Sequence, residues 1–509
     1  MPDQNNAVGA TTSPGTTSPG TTSPGTTSPA GSARDPHLDP PLARSLSRRH
    51  IQMLAIGGTI GTGLFMGAGK TISLAGPAVI FVYTIIGFML FFVMRAMGEM
   101  LLSNLNYKSF SDFAGDLLGP WASFFTGWSY WAFWVVTGVA DIVAISGYVD
   151  VLAPGTPLWI PALLTPVVLI LLNLPSVKAF GEAEFWFALV KVLAILALIV
   201  TGVVMIATRF TSPSGAVAGL ENIWNDGGMF PHGVAGFVLG FQIAIFAFAG
   251  IELVGTAAAE TKDPEKNLPR AINTIPVRML LFYVGALVII MAVNPWRTID
   301  PGSSPFIGMF TLAGLGIAAI VINLVVLTSA ASSANSGIYS TSRMVYGLAQ
   351  DGNAPRSFGK LSSRKVPRNA LLFSCIFLLA GLVLLYTGDS FMGAFTLVTS
   401  VASVLTMFVW SIIMVSYLAF LRRRPHLHAA SSYKMPGARF MPWVVLAFFA
   451  FMLWALGQAD DTRLALVVAP IWFLVLGGAW FVNRKAPLQQ ARVEEWKAEA
   501  RAEKAALGR

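Results

Sequence analysis

The chain has few charged residues and almost no cysteine, and both shortages restrict what it can be. Of its 509 residues, 12% are charged and 55% are hydrophobic, a balance outside the usual range of soluble globular proteins. The single cysteine, Cys375, lies in an apolar run, so neither a disulfide framework nor a thiolate metal cluster can form within one chain. This composition indicates a polytopic membrane protein.

The five histidines and the net charge of +9 do not point to a metal or a nucleic acid. His426 and His428 stand close together in a basic loop, but no acidic residue or cysteine accompanies them. The Lys and Arg residues occur in short loops between apolar spans, where orientation in the membrane accounts for them. We therefore expect no metal ion, no cofactor and no nucleic-acid partner. We expect the lipid bilayer to be the environment of the apolar spans.

The first 43 residues have almost nothing to bury. They contain the repeat TTSPGTTSPGTTSPGTTSPA, which is typical of a disordered tail. We expect no signal peptide, because no apolar segment follows a basic start. The sequence thus predicts a disordered cytoplasmic tail at 1–43, a membrane domain at 44–485 and a charged tail at 486–509 that is either a helix or a disordered end.

Apolar spans recur along the chain at close to ~20 residues, the length that crosses ~30 Å of hydrocarbon. With the N-terminus inside, the outer loops hold four basic residues and 29 of the 34 lie on the cytoplasmic side. This asymmetry predicts an even number of spans with both termini in the cytoplasm. The twelve predicted spans are 51–70, 77–98, 120–148, 158–175, 184–208, 233–257, 274–294, 311–335, 369–387, 391–420, 440–457 and 464–482.

Glycines interrupt the first span. The stretch GGTIGTGLFMGAGKT at 57–71 contains six of them, and its end resembles a phosphate-binding loop, but Leu64 stands where that motif requires glycine. Glycine in a helix costs ~1 kcal/mol relative to alanine, and backbone exposed to lipid cannot regain hydrogen bonds from water. Such a run belongs beside a cavity, or else it allows close packing of helices.

A second interruption lies in the sixth span, where Gly250 and Gly255 flank Glu252. Interrupted spans in the first and sixth positions indicate an inverted repeat of five plus five helices, with a substrate site near the membrane midplane. Free N–H groups at the start of a half-helix hold a carboxylate, and unwound carbonyls receive an ammonium group. One amino acid zwitterion satisfies both.

Four stretches resemble the amino acid transporter family of the amino acid–polyamine–organocation (APC) superfamily. They are LSRRHIQMLAIGGTIGTGLFMGAGKTISLAGP, MRAMGEM, FAFAGIELVGTAAAETKDPEKNLPRAI and LTSAASSANSGIYSTSRMVYGLAQDG, and the resemblance extends over roughly residues 43–485. It implies an all-α fold of twelve transmembrane helices, a five-plus-five inverted repeat with discontinuous helices 1 and 6, and two additional C-terminal helices. It also implies a proton-coupled importer of the bacterial inner membrane.

Within the family, the chain is most similar to bacterial transporters of D-serine, D-alanine and glycine. These substrates are therefore expected, with D-cycloserine as an analogue. The alternative is a permease of the same family for aromatic amino acids, proline or 4-aminobutyrate.

The resemblance also implies which residues bind substrate. The backbone of Thr62 and Gly63 would bind the carboxylate, the carbonyls of Thr59, Phe246 and Ala249 would receive the amine, and the Phe246 ring would act as a gate. Small neighbours would fit glycine, alanine and serine. The predicted substrate-binding set is Thr59, Gly61, Thr62, Gly63, Asp141, Phe246, Ala247, Ala249 and Gly250.

Three ionisable residues within the spans are candidates for function, since charges at membrane depth are rare. Lys191 matches a position where some proton-coupled relatives place an amine in lieu of a sodium ion; alternatively, it reaches the interface by snorkelling. Glu252 either shares a proton with water in the cavity or braces the unwound segment. Asp141 either faces the pore and helps to hold the ammonium group or lies hydrated at the outer end of its span.

Other residues are expected to serve structure. Glu99, Arg95 and Lys108 lie near the cytoplasmic end of the second span, and Ser332 and Ser333 belong to a small-residue stretch that packs or lines the path. The spans contain no convergent nucleophile–base pair, so we do not expect an enzyme. A channel would usually present a repeated pore motif, which the chain lacks.

Overall fold

The computed structural model describes residues 46–213, 215–314, 316–387 and 391–506, and these residues are predominantly helical. Within those ranges, β-structure is limited to two isolated bridges, Leu46 with Thr261 and Thr211 with Val217. The all-α prediction is therefore confirmed for this part of the chain. The tail that was predicted to be disordered, residues 1–43, lies outside it.

The first eight α-helices cover the first five predicted spans. A 3₁₀ turn at Gly76–Ala78 joins the third helix to the fourth. The helices are α1 Arg48–Gly57, α2 Thr62–Phe65, α3 Gly67–Ala75, α4 Val79–Ser103, α5 Phe110–Leu118, α6 Pro120–Leu152, α7 Trp159–Asn173 and α8 Val177–Ala207.

The second part of the chain adds fifteen described helices. A π-helical segment, Met279–Gly285, separates two of them. The helices are α9 Gly233–Ala244, α10 Leu253–Thr256, α11 Pro264–Asn273, α12 Ile275–Arg278, α13 Ala286–Val293, α14 Pro305–Leu312, α15 Gly316–Gln350, α16 Arg368–Phe377, α17 Ala380–Thr387, α18 Phe391–Arg423, α19 Pro425–Ala430, α20 Met441–Leu456, α21 Asp460–Arg463, α22 Ala465–Asn483 and α23 Pro487–Ala506.

Nine helical runs in the described ranges are long and apolar enough to cross a membrane. Two shorter apolar helices, α7 and α20, correspond to the fourth and eleventh predicted spans. The first predicted span is divided by its break, and its second half continues through the 3₁₀ turn into α4, so Gly67–Ser103 forms one run. The nine long runs therefore do not correspond one to one with the twelve predicted spans, and the number of twelve spans stays a prediction.

The fifth span begins earlier than predicted. α8 starts at Val177, where the side chain of Ser176 accepts a hydrogen bond from the Ala179 N–H, rather than at residue 184. Its polar first turns are structured because they meet buried partners. The Phe180 ring, for example, stacks on Tyr339 with a centroid distance of 3.8 Å. Glu184 therefore lies inside a helix and not at its edge.

The centre of the molecule is built around α6. This helix packs along α15 and along α18, and most of its residues are buried. Helices at the periphery instead expose apolar side chains, such as Leu164 of α7 and Leu474 of α22. Since exposed apolar surface of this extent is stable in lipid, the arrangement agrees with a multi-pass membrane protein.

Two spans are broken near their middles. α1 ends at Gly57 and α2 begins at Thr62, while α9 continues into a 3₁₀ turn, Ile245–Phe248, and helix resumes only at Leu253. We call residues 58–61 the first break and residues 249–252 the second break. Gly250 has φ of +92°, a left-handed conformation that favours glycine. Both interruptions lie where the glycine pattern predicts them.

Candidate functional site

The two breaks touch through their backbones. A Cβ atom on Gly250 would collide with the carbonyl group of Gly58, and a Cβ on Gly63 would lie 2.6 Å from the Cα of Ala247. Real Cβ atoms do not approach backbone this closely, so these glycines are needed for the spans to cross. The close-packing interpretation of the glycines therefore applies to them, and it leaves open whether they also face a substrate.

Gly255 has a packing environment of its own. A Cβ there would lie 2.5 Å from the sulfur of Met97 and 3.4 Å from the Phe110 ring. Both contacts are with side chains outside the second break.

The first break ends with free backbone donors. The N–H groups of Leu64 and Phe65 donate to the Gly61 carbonyl, which starts α2. The N–H groups of Thr62 and Gly63 precede these donors, so they have no intrahelical partner. Both residues are buried. The structure thus leaves two N–H groups at the point where sequence analysis expects a carboxylate.

Asp141 lies beside these donors. The Thr62 hydroxyl donates to its Oδ1 at 2.8 Å, while its Oδ2 has no hydrogen-bond partner among the described residues. Asp141 is 0% exposed, so the alternative in which it is hydrated at the outer end of α6 is wrong. Ser333 flanks the same place, with its Oγ 3.3 Å from where a Cβ of Gly61 would stand.

Tyr283, which sequence analysis did not identify, joins the carbonyls of the two broken spans. Its hydroxyl lies 2.6 Å from the carbonyl oxygen of Thr59 and 3.0 Å from that of Ala247. Of the predicted amine acceptors, the Thr59 carbonyl therefore already accepts from a side chain. The Phe246 carbonyl accepts from the Ala249 N–H at 3.0 Å. A carbonyl oxygen has two lone pairs, so each can still receive another donor.

The Phe246 ring is buried where the sixth span is broken. It is 3% exposed and packs edge-on against Phe395, with ring centroids 6.3 Å apart. The ring thus bridges the second broken span and α18.

The Lys191 side chain points into the protein. Its Nζ donates to the Gly57 carbonyl at 2.7 Å, and the residue is 0% exposed. Snorkelling to the membrane interface therefore does not describe this side chain. The ammonium group instead contacts the last residue of α1, directly before the first break.

Glu184 is a second buried charge on α8 that sequence analysis missed. Its Oε1 accepts from the Ser332 hydroxyl at 2.8 Å and lies 3.1 Å from where a Cβ of Gly57 would stand. Residues 184 and 191 are two helical turns apart, so they share one face of α8. That spacing is the signal that could have paired Glu184 with Lys191 in advance.

Glu252 lies in the second break and is fully buried. The indole Nε1 of Trp410 donates to its Oε2 at 3.3 Å, and its Oε1 has no hydrogen-bond partner in the described part of the chain. A carboxylate with a free oxygen in this position can bind a further donor or carry a proton.

A layer of ion pairs lies at the ends of α6, α15 and α18 that sequence analysis places in the cytoplasm. Arg343 contacts Glu260 at 3.3 Å, and Tyr339 donates to the same carboxylate. Lys108 contacts Asp351 at 3.3 Å. Burial raises the pKa of the Asp351 carboxyl, but the charges of Lys108 and Arg492 outweigh it and hold that pKa below its usual value.

Helix α23 belongs to the same layer. Arg424 binds Asp116 and also Glu503 of α23, and the Trp496 indole of α23 donates to the Asp116 carbonyl at 2.8 Å. The charged tail is therefore helical over Pro487–Ala506 and docks through specific contacts.

Two residues that were expected to serve structure, Glu99 and Arg95, contact side chains from distant parts of the sequence. Glu99 accepts from the Tyr417 hydroxyl and contacts Nδ1 of His428, both at 2.6 Å, and Arg95 donates to Asn273 at 2.9 Å. Across the described ranges, no group of three or more His, Cys, Asp or Glu side chains is placed to hold a metal ion.

Known proteins match most of this chain in sequence. A match to the amino acid permease family covers residues 50–493. The D-serine/D-alanine/glycine transporter of Escherichia coli strain K12 is 62% identical over 445 residues, which are 87% of this chain and 95% of that protein. Amino-acid permease AapA of Bacillus subtilis strain 168 is 52% identical over 435 residues, 86% and 94% of the two chains. The probable threonine/serine transporter YbxG of the same strain is 40% identical over 441 residues, 87% and 95% of the two chains. The chain belongs to the amino acid permease family.

Proposed function

We propose that this protein imports small neutral amino acids, D-serine, D-alanine and glycine above all, by proton-coupled secondary transport, and that it catalyses no reaction. The observation that carries the proposal is the crossing of the two breaks, where Gly63 meets the backbone of Ala247 beside Asp141 and Thr62. The 62% identity to the Escherichia coli transporter supports the choice of substrates.

The carboxylate of the substrate binds the N–H groups of Thr62 and Gly63. These donors have no intrahelical partner and stand at the start of α2, where the backbone dipoles favour negative charge. Gly61 precedes them in an extended conformation, with Ser333 beside it. Because Gly61 and Gly63 carry no side chain, the substrate carboxylate can approach the backbone N–H groups closely.

The ammonium group binds the opposite, acceptor side. Carbonyl oxygens of Thr59, Phe246 and Ala249 supply partial negative charge from both breaks. Oδ2 of Asp141, which has no hydrogen-bond partner among the described residues, adds a carboxylate oxygen beside Thr62. The small neighbours Ala247 and Gly250 fit the small side chains of glycine, alanine and serine, while the Phe246 ring covers the substrate.

Lys191 and Glu252 couple transport to protons. Both residues are fully buried. Lys191 contacts the first broken span through the Gly57 carbonyl, and Glu252 is itself part of the second break. A zwitterion carries no net charge, so its accumulation needs a coupled ion. One proton supplies ~2.3 kcal/mol per 100 mV, which supports accumulation of roughly 40-fold.

We also propose twelve transmembrane helices, built as a five-plus-five inverted repeat with two further helices, in the bacterial inner membrane. The ion pairs support this topology, because each pair joins two segments that the topology places on the same side of the membrane. Lys70 pairs with Asp461 between predicted outer loops, and Arg297 pairs with Asp226. The contacts of Asp116 and Asp351 with α23 join predicted cytoplasmic segments, which supports a cytoplasmic C-terminal tail.

The proposal is tested by uptake of radiolabelled D-alanine into proteoliposomes that contain the full chain, under an imposed proton gradient. Unlabelled D-serine, glycine, L-alanine, L-phenylalanine, proline and 4-aminobutyrate are added in turn as competitors. We expect gradient-dependent uptake that the small amino acids block. Transport of another competitor without D-alanine uptake would replace the substrate, and unsaturable currents without counterflow would replace the transporter by a channel.

A further inference from the structure

One side chain holds carbonyl groups of both broken spans. The Tyr283 hydroxyl lies within hydrogen-bond distance of the Thr59 carbonyl, 2.6 Å, and the Ala247 carbonyl, 3.0 Å. Thr59 belongs to the first break, and Ala247 lies in the 3₁₀ turn, Ile245–Phe248, that leads into the second break. A hydroxyl has one proton for two acceptors, so the two oxygens share it.

The tyrosine ring is fixed in place. It stacks on Phe248 with a centroid distance of 5.0 Å and an angle of 12° between planes, and Tyr283 is 3% exposed. The residue lies in the π-helical segment Met279–Gly285. Segments of this kind are rare, and they occur frequently at functional sites.

We propose that Tyr283 is a positioning residue for the substrate amine. By donating to one lone pair of the Thr59 carbonyl, the hydroxyl fixes the direction in which the other lone pair points. The same hydroxyl also binds the Ala247 carbonyl. The carbonyl groups of the two broken spans therefore keep a fixed position relative to each other. Tyr283 does not itself contact the ammonium group. This inference rests on the proposed role of the Thr59 carbonyl as an amine acceptor.

The alternative action of the hydroxyl would be competition. If it occupied the place of the amine, its removal would strengthen binding, whereas removal of a positioning group weakens it. The two actions therefore predict opposite changes in KM. The structure favours positioning, since the Thr59 carbonyl retains a second lone pair.

The test is D-alanine uptake by the full-length Tyr283→Phe variant in proteoliposomes at a fixed proton gradient. Phenylalanine keeps the ring and its stack on Phe248 and removes only the hydroxyl. We expect KM to rise about three- to ten-fold, the loss of one hydrogen bond, with Vmax within about two-fold of the unchanged protein. A purely structural role would lower Vmax through the amount of folded protein and leave KM unchanged.

Tyr83→Phe is the matched control. Tyr83 is also buried, and its ring lies 6.1 Å from that of Tyr283 and 5.7 Å from that of Phe248. In the described part of the chain, its hydroxyl makes no hydrogen bond with either break. The control is expected to keep the KM of the unchanged protein.

An unchanged or lowered KM in Tyr283→Phe, an equal rise in both variants, or a Tyr283→Phe protein that does not fold would each overturn the proposal. Failure of the substrate assignment is recognised separately, because the unchanged protein would then not take up D-alanine. Every candidate substrate carries a protonated amine, so the comparison is then made with the amino acid that is transported. Absence of any amino acid transport would overturn both proposals.

Discussion

The hydroxyl of Thr62 donates a 2.8 Å hydrogen bond to Oδ1 of Asp141, and so joins the first broken span to α6 across 79 residues of sequence. The other oxygen of that carboxyl has no partner among the described residues. Asp141 is fully buried, so its carboxyl group depends on hydrogen bonds with neighbouring side chains for stabilisation.

Loss of this hydroxyl is expected to impair transport. Thr62→Val removes it and keeps the backbone N–H and the shape of the side chain, which leaves both oxygens of Asp141 without a described partner. A buried group without its hydrogen bond costs ~1–3 kcal/mol, so we expect uptake of D-alanine to fall about ten-fold or more. Thr62→Ser retains the hydroxyl and should transport normally. Equal uptake by the two variants would remove Asp141 from the site.

The backbone N–H of Thr62 can be tested by a second substitution at the same position. Proline lacks that N–H, and it is tolerated at the first position of a helix, which Thr62 occupies. Gly61 is already extended, with φ −128° and ψ −161°, as the residue before a proline must be. We expect Thr62→Pro to abolish uptake with expression intact. Uptake as high as that of Thr62→Val would show that the N–H does not hold the carboxylate.

Removal of the Lys191 ammonium group should separate substrate movement from proton movement. In Lys191→Ala the Gly57 carbonyl loses its donor and the buried face of α8 loses its positive charge. We expect accumulation under a proton gradient to be lost, together with the pH dependence of uptake. Lys178→Ala, on the exposed first turn of the same helix, is the control. An unchanged pH profile in Lys191→Ala would contradict a role in coupling.

The crossing of the breaks can be tested by a single methyl group. In Gly63→Ala the new Cβ would lie 2.6 Å from the Cα of Ala247, and backbone on both sides cannot move aside without opening the crossing. We expect uptake below about a tenth of normal, because overpacking costs ~1–3 kcal/mol. Gly477→Ala in α22 has nothing within 4 Å of its Cβ and should be neutral in the same assay. Normal uptake by Gly63→Ala would show that the breaks separate freely.

The ion pairs of Asp351 should make stability depend on pH. Its pKa is lowered in the folded state, so its ionised form stabilises the protein above the pKa of the unfolded chain. That contribution is lost as the pH falls through the lowered pKa. We expect Asp351→Asn to reduce the midpoint of thermal unfolding near pH 7 and to differ less from the unchanged protein in acid. The exposed Asp150→Asn variant should show no such difference.

The sequence contains the positions of both breaks because glycine and a mid-span carboxylate are local signals. The burial of Asp141 could not be predicted from the sequence, because it depends on packing against residues of another span, such as Thr62. The start of α8 was misjudged for a related reason. The first turns of α8 resemble a loop in sequence, and it is Tyr339 and Ser332 of α15 that cover Phe180 and Glu184 there.

Tyr283 shows the same limit most clearly. Its two acceptors are carbonyl groups, which every residue has, so no side-chain pattern marks Thr59 or Ala247 as its partners. Only the crossing of two broken spans brings them to one hydroxyl. The predicted substrate set therefore omits Tyr283, which contacts Thr59 and Ala247 of that set through their backbone.

The docking of α23 has a consequence for the order in which the protein is made. Asp116, Asp351 and Arg424 obtain their contacts with Arg492, Trp496 and Glu503 from a helix that leaves the ribosome after every segment it binds. At ~5–20 residues per second, Asp116 waits about twenty seconds or longer for Trp496. Until then, the carboxylates of Asp116 and Asp351 are only partly neutralised, so folding around them can finish only after α23 has been synthesised.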